Sequence, residues 1–128
     1  MARSNTKLGK KIDEVNKASV ITYKGEEYEL VFNLNVMEQI QEEYGSVQEW
    51  GELVEAETEP KAKDIKYGFM CMLNEGIDIY NEEHAGEEPR PLFTERQVGR
   101  VLSEIGLFEA ARTLNKTVVD STKSDEKN

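Results

Sequence analysis

Residues 61–83 read KAKDIKYGFMCMLNEGIDIYNEE, the longest stretch of the chain that carries an apolar face with no proline inside it. Ile65, Phe69, Met72, Gly76 and Ile79 recur at helical spacing, and Met70, Leu73, Ile77 and Tyr80 widen the stripe well beyond one side. A helix apolar over so much of its girth needs neighbours on two or three sides. The stretch therefore predicts the central helix of a small helical domain, with shorter elements packed around it. Within it Gly68 and Gly76 each cost about 1 kcal/mol relative to alanine, so the close approach of another backbone or a local bend is expected there. Cys71, between Met70 and Met72, reads as a buried structural thiol, since no histidine or second cysteine lies at a motif spacing.

The chain's 128 residues suffice for one domain that folds without staples. Cys71 is the sole cysteine, which excludes an intrachain disulfide and suits a reducing cytosol. The first residues, MARSNTKLGKKIDEVNKAS, lack the apolar centre of a signal peptide, and no later run approaches the roughly 18 apolar residues of a spanning helix. The expectation is a soluble, unexported protein. Its net charge of −10 is unevenly spread: residues 1–17 carry +3, residues 115–128 are balanced, and residues 18–114 hold 8 bases against 21 acids. Such a body repels phosphate backbones, so nucleic acid is not an expected partner.

Around the central helix the chain falls into local signals. Residues 1–17 form a basic arm in which Leu8, Ile12 and Val15 sit at i, i+4 and i+7. The arm is expected to be mobile, ordering on the domain or on a partner. In SVITYKGEEYELVF two β-rich runs flank Lys24-Gly25, where Gly25 supplies a positive φ, so a β-hairpin is expected, extending through Leu30 and Phe32. Two strands are not stable alone, and one face must lie on helices or on another chain. A helix from Val36 to Tyr44 follows, with Asn35 as cap and Gly45 as stop, then one from Val47 to Glu57 capped by Ser46, with Trp50, Leu53 and Val54 inward. Thr58 and Pro60 open the central helix. Residues 81–93 read as a polar loop in which His84, among glutamates, lacks the paired spacing of a metal site. Thr94 with Gln97 caps a helix bearing Val98, Val101, Leu102 and Ile105, and Phe93 is expected to staple it. After Gly106 a last helix runs from Leu107 to about Val118, with Phe108, Ala111, Leu114 and Val118 on one side. The remaining residues, 119–128, are expected to be disordered, and from Asp120 on they are polar.

The fold class is thus mostly α (α+β): about five helices and an N-terminal two-stranded hairpin over residues 18–118. Nucleophile elbows, phosphate-binding glycine loops, paired metal ligands and histidine-based triads are all missing from the sequence. Paired acids such as Glu42-Glu43 do not face each other on a helix, and a general acid needs an apolar pocket to raise its pKa. The chain reads as a non-enzymatic binding protein without catalytic residues, metal or cofactor.

The order of elements around Phe32–Glu55, FNLNVMEQIQEEYGSVQEWGELVE, sharpens this reading. Preceded by ITYKGEEYELVF and followed by RPLFTERQVGRVLSEIG, it resembles the small tail assembly chaperones of long-tailed bacteriophages, over roughly residues 19–115. The resemblance implies a chaperone that binds the aggregation-prone tape measure protein and keeps it soluble while the tail tube polymerises, with the tail tube protein as a further partner. It also implies residence in the cytoplasm of the bacterial host and absence from the mature virion. Candidate partner contacts are Met37, Ile40, Tyr44, Trp50 and Leu53, and the stripe Val98, Val101, Leu102 and Ile105. The hairpin edge and the apolar central helix make a homo-oligomer credible. Two other readings stand beside this one: an acidic DNA mimic that inhibits a nucleic-acid-binding protein, and a structural tail or head-completion protein.

Overall fold

The computed structural model describes residues 19–55 and 61–127, with side chains as far as Thr122. The basic arm, and the Thr58–Pro60 start expected for the central helix, lie outside the described residues. Strands β1 (Val20–Tyr23) and β2 (Glu26–Glu29) are followed by α1 (Leu34–Tyr44), α2 (Val47–Val54), α3 (Ala62–Glu83), α4 (Glu95–Ile105) and α5 (Leu107–Lys127). The class is as the sequence predicts, mostly helical with an N-terminal antiparallel hairpin. None of the described helices is long and apolar enough to cross a membrane.

The wide apolar girth of α3 is spent on five neighbours, because α1, α2, α4, α5 and β2 all pack against it. Ile65, Phe69, Met72, Leu73 and Ile77 are buried on it, and Val36, Ile40, Val98, Val101, Ala110 and Leu114 come in from the surrounding helices. Cys71 is buried, as its neighbours in sequence suggested.

The hairpin pairs Val20 with Glu29 and Tyr23 with Glu26. Lys24 and Gly25 have φ values of 53° and 80°, the two positive values of a type I′ turn whose twist matches that of the strands. The second strand ends earlier than the alternation suggests. Leu30 N–H still donates to the Ser19 carbonyl (2.8 Å), but Val31 N–H donates to the Met72 carbonyl of α3 (3.2 Å). The chain can lie so close to the helix because residue 76 is glycine: a β-carbon there would run into the Glu29 carbonyl oxygen. The bare helix surface therefore ends the sheet and carries the strand across it.

Helix α1 begins two residues before the expected start. Its cap is Asn33, whose side-chain oxygen accepts from Val36 N–H (3.2 Å), rather than Asn35. The reason is tertiary, since Asn33 and Asn35 both donate through Nδ2 to Glu75 Oε2 on α3, at 2.9 and 3.1 Å. Gly45 closes the helix as expected, its N–H donating to the Gln41 carbonyl. At α4 the full capping box forms: Gln97 N–H donates to Thr94 Oγ1 (3.2 Å), and Thr94 N–H to Gln97 Oε1 (2.8 Å).

The connection from α3 to α4 is more ordered than a polar loop need be. Arg90 and Asn81 exchange two hydrogen bonds, from Arg90 N–H to Asn81 Oδ1 and from Asn81 Nδ2 to the Arg90 carbonyl. The Arg90 guanidinium lies 4.0 Å from the Tyr80 ring centre and reaches the hairpin at Glu26 and Glu27. Phe93 turns its ring to Tyr23 and Tyr28 in edge contacts, and its backbone is clasped by Asn74 in two further bonds. Loop, hairpin and α3 are thereby joined.

Helix α5 corrects the sequence reading twice. Phe108 is 63% exposed, and the buried row is Ala110, Leu114 and Thr117. The expected disordered tail from residue 119 is instead a continuation of the helix to Lys127. Ser121 Oγ donates to the Phe32 carbonyl (3.2 Å), so the helix is still held to the domain beyond Val118, while Lys116 and Asp120 pair one turn apart along the helix itself (4.0 Å).

Candidate binding groove

Helix α2 is short, and its position depends on one large side chain. Ser46 Oγ caps it by accepting from Glu49 N–H (3.0 Å), which sets Val47, Trp50 and Val54 on one side at i, i+3 and i+7. The Trp50 indole lies against Gly68 of α3, where any side chain would collide with the ring, and its Nε1–H donates to the Asp64 carbonyl (3.0 Å). Trp50 therefore fastens α2 to α3 by an aromatic plug with its polar edge satisfied.

So fastened, α2 stands away from α5 along its other flank and leaves an open groove of about 360 Å³. Val47, Trp50, Gly51 and Val54 form one wall, and Asn115 and Val118 of α5 the other. Glu52 and Glu55 stand at the rim, and among the described residues no basic side chain lines it. A β-carbon at Gly51 would meet nothing within 4 Å, so space persists above the helix itself. Phe108, Asn115 and Val119 follow at i, i+7 and i+11 along α5, and Phe108 and Val119 are exposed. Phe108 and Val119 are thus exposed apolar side chains on the helical face that also carries Asn115.

Aromatic and sulfur side chains tie α1 to α3, with Asp64 shared between this cluster and Trp50. Tyr44 Oη donates to Asp64 Oδ1 (2.6 Å), the Tyr44 and Tyr67 rings meet edge on, and Tyr67 Oη donates to the Gln39 carbonyl (3.2 Å). Burial, then the Asp64 carboxylate, raises the Tyr44 phenol well above its ordinary value. Burial, then the adjacent Cys71, pushes Tyr67 up to about 12. Burial pushes the Cys71 thiol up to about 11, against a smaller opposing effect of its hydrogen bond with Tyr67. All three groups hold their protons more tightly folded than unfolded. The stability this represents is complete below the ordinary thiol and phenol values of 9.0 and 10.0, and is lost as pH rises through the folded values. The urea midpoint is expected to fall progressively from about pH 9 to about pH 12, more steeply than in a Tyr44→Phe/Tyr67→Phe variant. Equal slopes for the two proteins would show that these phenols are not the coupled groups.

The residues expected to meet a partner divide sharply. Ile40, Val98 and Val101 are completely buried, and Trp50 and Leu102 nearly so. These five belong to the core around α3, with Trp50 alone also lining the groove. Met37, Tyr44 and Ile105 are half-buried, and Tyr44 is occupied by Asp64. Leu53, expected inward, is exposed, because the Val47–Trp50–Val54 row that α2 buries points about a quarter-turn away from it. The groove brings in Val47 and Asn115, and α5 adds the exposed Phe108 and Val119, none of which the helical periodicity marked as accessible. Val47 and Val54, seven apart around Gly51, were the available signal. Among the described residues no three His, Cys, Asp or Glu side chains could hold a metal ion, and His84 is stacked on Tyr80 at 3.9 Å.

Compared with protein-family models, with curated proteins and with solved structures, the chain matches none.

Proposed function

We propose that this protein is a non-enzymatic tail assembly chaperone of the long-tailed phage type, which receives an apolar helical segment of the tape measure protein and keeps that protein soluble until the tail tube forms around it. In this reading it acts in the bacterial cytoplasm, also meets the tail tube protein, and does not remain in the virion. The observation that carries it is the groove between α2 and α5, apolar on its floor and acidic at its rim, with Phe108 and Val119 exposed on the same helix, α5. A partner helix presenting apolar side chains at i, i+3 or i+4, and i+7 fits such a surface, and lysines beside them would meet Glu52 and Glu55. The net charge of −10 would keep a complex dispersed while its apolar surfaces are covered.

Co-expression with fragments of the tape measure protein from the same genome tests the proposal. The expected result is a fragment that turns soluble and co-elutes with the chaperone on gel filtration, an effect strongly reduced by Phe108→Ser/Val119→Ser, two exposed positions whose change leaves the fold intact. A tape measure protein that is soluble alone and elutes apart would overturn the proposal. So would recovery of this chain as a stoichiometric component of purified virions.

A further inference from the structure

A second concavity, of about 270 Å³, lies between the hairpin turn and the start of α4, and its charge is opposite to that of the domain around it. Its apolar wall is made of half-buried rings: Phe93 meets Tyr23 and Tyr28 edge on, at 6.2 and 5.3 Å between centres. Two cations line it, Lys24 from the turn and Arg100 from α4, although residues 18–114 hold 8 bases against 21 acids. Both are exposed, and among the described residues neither joins an ion pair; Lys24 Nζ rests 5.5 Å from the centre of the Tyr23 ring. The carboxylate that lines the pocket, Glu26, is already held by Arg90 at 3.1 Å. Gln97 Oε1 accepts from Thr94 N–H, which leaves the Nε2 hydrogens of Gln97 without a partner among the described residues. The free polar ends of Lys24, Gln97 and Arg100 are thus all donors. Their positions are set by the fold itself: the type I′ turn places Lys24, Asn74 clasps the backbone of Phe93, and the capping box holds Gln97.

These features narrow the ligand. A guanidinium and an ammonium with no carboxylate of their own select an anion, and three rings beside them select a flat apolar body. A volume below the roughly 300–1,000 Å³ of sites for drug-sized molecules limits that body to one ring-bearing group. A long polyanion is disfavoured, because beyond the pocket it would run over an acidic surface. We infer that the pocket binds a compact aromatic acid, with its ring against Tyr23, Tyr28 and Phe93 and its carboxylate between Lys24 and Arg100. Two sources supply that chemistry: a free aromatic acid, and the C-terminal aromatic residue of another chain. The site shares no residue with the α2/α5 groove, and it does not rest on the chaperone reading.

The test follows amide signals of the isotope-labelled full chain as phenylacetate, N-acetylphenylalanine and the neutral amides of both are added in turn. The acids are expected to move the signals of Lys24, Gly25 and residues 93–100 saturably, the better of them with a Kd of about 1 mM, ordinary for a ligand of roughly ten non-hydrogen atoms. The amides are expected to bind about tenfold more weakly, the combined effect of two exposed charge pairs. Lys24→Gln/Arg100→Gln, at two exposed positions outside the core, should cost the acids the same factor of about ten and leave the amides unaffected. Tighter binding of N-acetylphenylalanine, which carries the peptide group of a chain end, would identify the source as a partner's C-terminus, and tighter binding of phenylacetate would identify a free acid. Acids and amides that bind alike, acids that bind the double variant as tightly as the parent, or shifts that grow without saturating would each overturn the inference. None of these results bears on the tape measure co-expression, whose variants lie on α5.

Discussion

Gly76→Ala is expected to destabilise the protein by about 1–3 kcal/mol, although at an unobstructed helical position the same change stabilises by up to about 1 kcal/mol. The added methyl has no room, because it meets the Glu29 carbonyl oxygen, a backbone atom that cannot rotate away. Relief requires the strand to lift from α3. That lift breaks the bond from Val31 N–H to the Met72 carbonyl and uncovers the side chains beneath, Leu30 among them, which is 2% exposed. The overpacking term of about 1–3 kcal/mol and the lost hydrogen bond, about 1 kcal/mol, together exceed the propensity gain. Gly51→Ala is the control, since its methyl meets nothing within 4 Å, and it should raise stability. Urea unfolding of the two variants beside the parent decides the matter: a Gly76→Ala protein as stable as the parent would mean that the strand does not lie on α3 as described.

Trp50→Ala is expected to lower stability by about 3–5 kcal/mol, the range for removing a large buried aromatic side chain. The ring is 3% exposed, fills the notch over Gly68 and carries the bond to the Asp64 carbonyl, so its loss opens a cavity and releases α2 from α3. The partner glycine makes the prediction specific. In the parent protein Gly68→Ala forces its methyl into the indole and is expected to be destabilising. Against Trp50→Ala the same methyl enters vacated space and restores helix propensity, so it should stabilise by about 1 kcal/mol. A double-mutant cycle thus predicts a coupling within the range of about 0.5–3 kcal/mol seen for side chains in contact. Additive effects would show that Trp50 and Gly68 do not touch. Because Trp50 also forms part of the groove, Trp50→Phe is the milder variant for binding work: it keeps an aromatic ring but loses the Nε1 hydrogen bond and the edge of the indole that lies over Gly68.

Several features were legible in the residues because the forces that produce them act over a few positions. The Lys24-Gly25 turn, the Ser46 cap and the Thr94–Gln97 box arise between groups at most three residues apart. Gly45 and Gly106 end helices through bonds one turn back. The girth of α3 announced a helix with neighbours on several sides, and its glycines announced close approach, which proved to be backbone at Gly76 and an indole at Gly68.

Tertiary structure decided what depends on elements far apart in the chain. Asn33 rather than Asn35 became the cap because Glu75, about forty residues away, holds both amides. Residues 119–122 stay on the helix because Ser121 finds the carbonyl of Phe32. Above all, periodicity marks an apolar face without saying whether another element covers it. Val98, Val101 and Leu102 were equally suited to a core or a partner, and α3 claimed them for the core. Phe108 looked internal and is exposed, because the register of α5 against α3 buries Ala110 and Leu114 instead. Sequence by itself determined the helices, the hairpin turn and the helix stops at Gly45 and Gly106, since those follow from local hydrogen bonding and steric limits. Only the packing of α2 and α5 against α3 determined where apolar surface remains open, since a groove is the space that two separately placed helices fail to fill.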